Sequence, residues 1–173
     1  LHDKIVVAKL YSDSKSLGLK VYDAELNLVS QKVFSEPNYC AGGFYGYVEG
    51  EGKKYLIINT EKDEYPGTMI YTLNDSYGIE NERYLSGYYI TQAVIGKKNN
   101  LYVKAEEVAI SCGSDGRIRE VFMDINAQTE GINYNKSTNK EIVEMCSNGS
   151  KVILSEYYLD HTRCNITAFE LVY

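Results

Sequence analysis

The sequence predicts an all-β protein built from repeats, and three observations carry that prediction. The apolar runs are short, rich in β-branched and aromatic residues, and bounded by Gly, Asn, Asp and Ser. Helical periodicity never persists for about ten residues. One phrase returns roughly every fifty residues, the mark of an array of supersecondary units burying their apolar faces against one another. Leu-Lys-Val-Tyr-Asp at 19–23 returns as Thr-Met-Ile-Tyr-Thr at 68–72, as Arg-Glu-Val-Phe-Met at 119–123 and as Ile-Thr-Ala-Phe-Glu at 166–170. The aligned aromatics are Tyr22, Tyr71, Phe122 and Phe169, at spacings of 49, 51 and 47. They are expected to occupy equivalent places.

Each period has the same internal order: an apolar run, a tight turn, a second apolar run, a polar loop, the aromatic-centred run, and a weaker polar strand. The first period lacks its opening strand and reads as strands at 4–10, 19–23 and 29–34. The second reads as 43–48, 54–59, 69–73 and 81–85, and the third as 90–95, 101–105, 118–125 and 131–135. The fourth has 142–146, 152–157 and 166–172. The run 53–59 is almost wholly apolar after its lysines, as in a strand covered on both faces. Glu49-Gly50-Glu51-Gly52, Lys98-Asn99-Asn100 and Ser147-Asn148-Gly149-Ser150 supply the Gly and Asn that tight hairpins need. Pro occurs only at 37 and 66, both in expected loops. The four repeats run over about 1–37, 38–86, 87–138 and 139–173, taken as one domain.

Composition narrows the partners. At 173 residues and 44% hydrophobic, the chain can bury a core of its own. Seventeen Tyr against four Phe and no Trp suit half-buried strand positions and contact surfaces alike. A net charge of −6 argues against nucleic acid, whose phosphates are bound through Lys and Arg, and against anionic membrane surfaces. No apolar stretch is long enough for a membrane-spanning helix. The chain opens at Leu1 with neither an initiating Met nor a signal peptide, which reads as a processed product or one piece of a longer protein.

Four-stranded repeats in series resemble the blades of a β-propeller, and the resemblance spans nearly the whole chain. The turn after the inner strand, the buried second strand, the Val-Tyr-Asp-type third strand and the polar outer strand follow blade order, in a style similar to quinoprotein and YncE-like blades. The chain departs from the named subfamilies: it has no Trp-Asp dipeptide, one Gly-Gly pair (Gly42-Gly43), and no sialidase-type box. The resemblance implies about three and a half blades. Half of a six- to eight-bladed ring is favoured over a small four-bladed one, because both ends cut a blade without donating a closing strand. A β-trefoil is the alternative fold.

Blade topology places Cys112 and Cys164 in matching loops of neighbouring blades, which makes them the candidate disulfide. Cys146 reads as a buried thiol. With no Cys-x-x-Cys and only His2 and His161, neither a metal site nor a cofactor is expected. Sequons occur at Asn74, Asn135, Asn148 and Asn165, the first three in turns or outer strands where a glycan fits. Sequons and an even cysteine count point to a secreted or cell-surface setting.

The function expected from these features is non-catalytic binding. Loops at 11–18, 60–67, 106–117 and 157–164 share one face by blade register, and loops on a rigid scaffold are where recognition concentrates. Tyr65, Tyr157, Tyr158 and His161 are the candidate contacts for a protein or glycan partner. A lactonase- or hydrolase-type enzyme with a central-channel site is one alternative, but the inner strands offer it only Glu49 and Glu144. Asp160-His161-Thr162-Arg163 is the one loop with catalytic residue types, and Glu61 to Tyr65 reads as a charged hairpin. A structural role, completing a larger ring, is the third reading.

Overall fold

A computed structural model describes residues 4–11, 16–35, 45–50, 52–96, 100–108, 120–125, 132–138, 141–147, 151–157 and 164–170; beyond residue 125 the description is of backbone and register. The protein is all-β. Its first sheet joins β1 (Lys4–Tyr11), β2 (Ser16–Asp23) and β3 (Leu28–Ser35). The second joins β4 (Tyr45–Glu49), β5 (Lys54–Lys62), β6 (Tyr65–Leu73) and β7 (Ile79–Ser86). The third joins β8 (Tyr88–Ile95), β9 (Leu101–Glu107), β10 (Glu120–Ile125) and β11 (Ile132–Thr138), and the fourth joins β12 (Glu141–Ser147), β13 (Lys151–Tyr157) and β14 (Cys164–Glu170). Each sheet is an antiparallel meander in chain order. Four separate open sheets replace the closed barrel that a β-trefoil needs, so that alternative falls.

Apolar alternation decides how the sheets stack. One core lies between the first two: Leu17, Leu19 and Val21 of β2 meet Leu56 and Ile58 of β5 and Met69, Tyr71 and Leu73 of β6. The other lies between the second and third: Tyr55, Ile57 and Ile70 meet Leu101, Val103 and Ala105 of β9 and Val121, Met123 and Ile125 of β10. β5 and β6 are thus apolar on both faces, which is why their sequence is nearly continuous in apolar residues. The first strands of successive sheets meet in series, β4 against β8 and β8 against β12, with β1 against β4.

Breaks in the pairing fix how the repeats align. The register shifts between Val21 and Tyr22, between Thr72 and Leu73, and between Asp124 and Ile125. The turns that follow agree. Asp23 Oδ1 accepts from the amides of Glu25 (3.1 Å) and Asn27 (2.8 Å); Asn74 Oδ1 accepts from those of Ser76 (2.9 Å) and Gly78 (3.0 Å). Leu26 and Tyr77 both take left-handed backbone, at φ 67° and 59°. Tyr22, Leu73 and Ile125 are therefore equivalent. In the fourth sheet Phe169 faces Val152, four residues before the bulge partner Glu156, just as Ile125 faces Leu101, four before Ala105.

The expected equivalence of the four aromatics is thereby corrected. Tyr22 and Phe169 match, but Tyr71 and Phe122 do not. Tyr71 lies two residues before Leu73 and keeps its face, whereas Phe122 lies three before Ile125, and an odd offset turns a strand side chain to the opposite face. Tyr71 faces back towards the first sheet and stacks on Phe34, with ring centroids 6.2 Å apart. Phe122 faces away from the core of its neighbours Val121 and Met123 and stacks on Tyr102 at 6.3 Å.

Candidate functional site

The β5–β6 hairpin is the best-formed candidate. The long loop expected at 60–67 is instead a pair of extended strands closed by Asp63 and Glu64 alone, both left-handed at φ 52° and 69°. Two consecutive left-handed residues give the type I′ turn, whose twist matches that of the strands it joins. Tyr65 follows at once and is 66% exposed, the one exposed aromatic among the described residues. Glu61, Lys62, Asp63 and Glu64 are exposed around it.

The tip is braced from β7. The Tyr84 hydroxyl donates to the carbonyl of Tyr65 and accepts from the amide of Lys62 at 3.2 Å. The Lys62 ammonium lies 5.9 Å from the centre of the Tyr84 ring. Gly67 makes room for this ring: a methyl there would collide with the Leu85 carbonyl oxygen and stand 2.7 Å from the ring. Gly87 ties the same end to the third sheet. Its amide donates to Pro66 O and its carbonyl accepts from Val108 N, each at 2.8 Å. An exposed aromatic beside three carboxylates is thus held on a rigid frame.

The opposite end carries a second polar cluster whose charges are answered internally. Lys54 Nζ binds Asp75 at 2.7 Å, and that bond holds the Lys54 ammonium above, and the Asp75 carboxyl below, their ordinary pKa values. Lys4 and Lys54 stand over the Tyr77 ring at 5.5 and 5.8 Å. Burial, reinforced by its 2.8 Å hydrogen bond to Glu49, raises the Tyr47 hydroxyl well above the usual tyrosine range. Glu49 is therefore engaged with Tyr47 of its own strand.

Of the other expected contacts, Tyr157 ends β13, while Tyr158 and His161 lie outside the described residues. Tyr65 and Tyr157 both abut the connection between the second and third strands of their repeats, and so share an end of the sheets. Cys164 opens β14, and Cys112 lies outside the described residues, as do Cys40 and Asn148. Cys146 and Glu144 fall in β12, and Asn135 in β11. Asn74 is exposed at the other end, its Oδ1 committed to the turn. Among the described residues no group of three or more His, Cys, Asp or Glu could hold a metal ion, and no helix is long and apolar enough to cross a membrane.

Sequence reasoning missed the polar lock between the second and third sheets. Asn59 Nδ2 donates to Ile90 O at 2.8 Å and Asn59 Oδ1 accepts from Ile90 N at 3.0 Å. The Thr68 hydroxyl stands 2.5 Å from Asn59 Oδ1 and 2.8 Å from Tyr88 O. A lone Asn and a Thr at the ends of otherwise apolar runs were the available signal. The chain matches no family model and no curated protein sequence.

Proposed function

We propose that the chain is a non-catalytic interaction module of propeller type that presents the ends of its sheets, the β5–β6 hairpin foremost, to a protein partner with a basic surface. The observation that carries this reading is Tyr65, 66% exposed on a turn that Tyr84 braces. A rigid aromatic loses little conformational entropy on docking and supplies a large contact area. Glu61, Asp63 and Glu64 add an acidic rim, which steers a basic partner and fixes its register. The four stacked sheets with their first strands in series support the propeller arrangement. A secreted or cell-surface setting accords with the exposed sequon at Asn74.

The test places a photo-crosslinking residue at position 64 of the full chain and reads the adducts formed in its native setting. A discrete protein adduct, lost on Tyr65→Ala and on joint Glu61→Lys and Asp63→Lys substitution, supports the reading. An adduct pattern indifferent to all three substitutions overturns it.

A further inference from the structure

The first sheet leaves one face bare. Ile5, Val7 and Val33 are 48%, 45% and 59% exposed, with Leu28 at 51% beside them. Register shows that this is not an ordinary solvent face. Tyr22 equates with Leu73 and Ile125, so Lys20 equates with Tyr71 and Met123, and Val7, opposite Lys20, equates with Leu56 and Val103. Every one of those counterparts is fully or nearly fully buried against the sheet before it. The bare face is thus the same surface that the second and third sheets each cover with a neighbouring sheet of this chain. Among the described residues nothing covers it.

We infer that a second copy of this chain covers that face, its fourth sheet stacking on the first sheet of its partner, so that two copies close one ring. Charge favours this pairing. Lys9 and Lys20 share the bare face with Val7, whereas the strands of the fourth sheet carry Glu141, Glu144, Glu156 and Glu170 against Lys151. The two ends of the stack are opposite in sign, whereas pairing either end with itself sets like charges together. Two head-to-tail contacts related by a twofold axis form a closed assembly.

The experiment is sedimentation of the full chain across concentration, with the variants Val7→Glu and Lys9→Glu/Lys20→Glu. The expected result is a species of twice the chain mass. Val7→Glu dissociates it, and the double charge reversal weakens it by about tenfold or more, most strongly at low salt. Both variants keep the native circular dichroism, since the altered residues contact no core. Amide exchange gives a second readout: β1 amides slow as the dimer forms. A monomer persisting at about 100 µM, or a dimer indifferent to Val7→Glu, overturns the inference. The hairpin at Tyr65 plays no part in this contact, so its crosslinking outcome stands or falls separately.

Discussion

Asn59 grips Ile90 by both of that residue's backbone groups, through bonds of 2.8 and 3.0 Å across the boundary between two sheets. The site is buried, with Asn59 only 4% exposed. It sits beside the bulge that separates Ile90 from Gln92 in the β8–β9 pairing, where the bulged strand leaves backbone groups free to turn outwards. Asn59→Ala strips Ile90 O of its donor in a dry environment, and the expected loss is about 1–3 kcal/mol in denaturant unfolding. Thr68 still accepts from Ile90 N, at 3.0 Å, which keeps the loss below that of an abolished network. Asn59→Asp costs more at neutral pH, because a carboxylate then faces Ile90 O. Burial and that carbonyl both favour the protonated acid, so this variant regains stability relative to the parent as pH falls.

Two glycines at the hairpin end are required for different reasons. Gly87 joins the second sheet to the third through a left-handed backbone at φ 83°, which an L side chain rarely adopts. Gly67 is required for space, between Leu85 O and the Tyr84 ring. Gly87→Ala is expected to cost about 1–2 kcal/mol through backbone strain. Gly67→Ala costs about 1–3 kcal/mol through overpacking and pushes Tyr84 off the tip. Thermal unfolding reads both, and proteolysis near 63–65 rises only for Gly67→Ala.

Strand positions were legible in the sequence because runs such as Tyr55 to Asn59 and Val121 to Ile125 combine β-branched and aromatic residues with turn residues at both ends. The alignment of one repeat on the next was not. Matching Tyr22 to Tyr71 and Phe122 followed ring identity, whereas the fold aligns the turns that follow, Asp23 with Asn74. Those turns carry the usable signal: an Asx residue followed four positions later by Asn27 or Gly78, the geometry its Oδ1 needs. The hairpin at 60–67 was misjudged in length because Asp63-Glu64 lacks the Gly or Asn that usually announces two left-handed residues. Tyr65 was legible as exposed, but its brace, Tyr84, lies nineteen residues on and is visible only in the folded register.

Tyr84→Phe tests that brace without emptying the packed ring position. It removes the donor to Tyr65 O and the acceptor for Lys62 N, and leaves the ring under the Lys62 ammonium. The expected stability loss is about 1 kcal/mol. The larger effect is local: amides at 62–65 exchange faster while those of the core of β5 and β6 do not. Uniform acceleration across both strands would show that Tyr84 supports the sheet as a whole and not the tip.

The turns also set the acid response. The Asn27 side-chain bond, followed by the Asn27 amide, holds the Asp23 carboxyl below its ordinary value; at Asp75 the Lys54 bond does the same. A carboxyl with a lowered folded-state pKa favours the native protein while ionised. That contribution is complete above the ordinary value of about 3.9 and is lost as pH falls through the lowered one. Lys54 has the opposite sense: its raised value contributes fully below the ordinary lysine value of about 10.4 and is lost as pH rises through the raised one. The Lys54–Asp75 bond therefore acts between those limits, and Asp75→Asn removes its share at both. Unfolding measured from pH 2 to 7 is expected to show a shallower acid slope for Asp23→Asn, which keeps an acceptor oxygen for Glu25 N and Asn27 N but no longer titrates. An unchanged slope in that variant would place the acid sensitivity in other carboxyls.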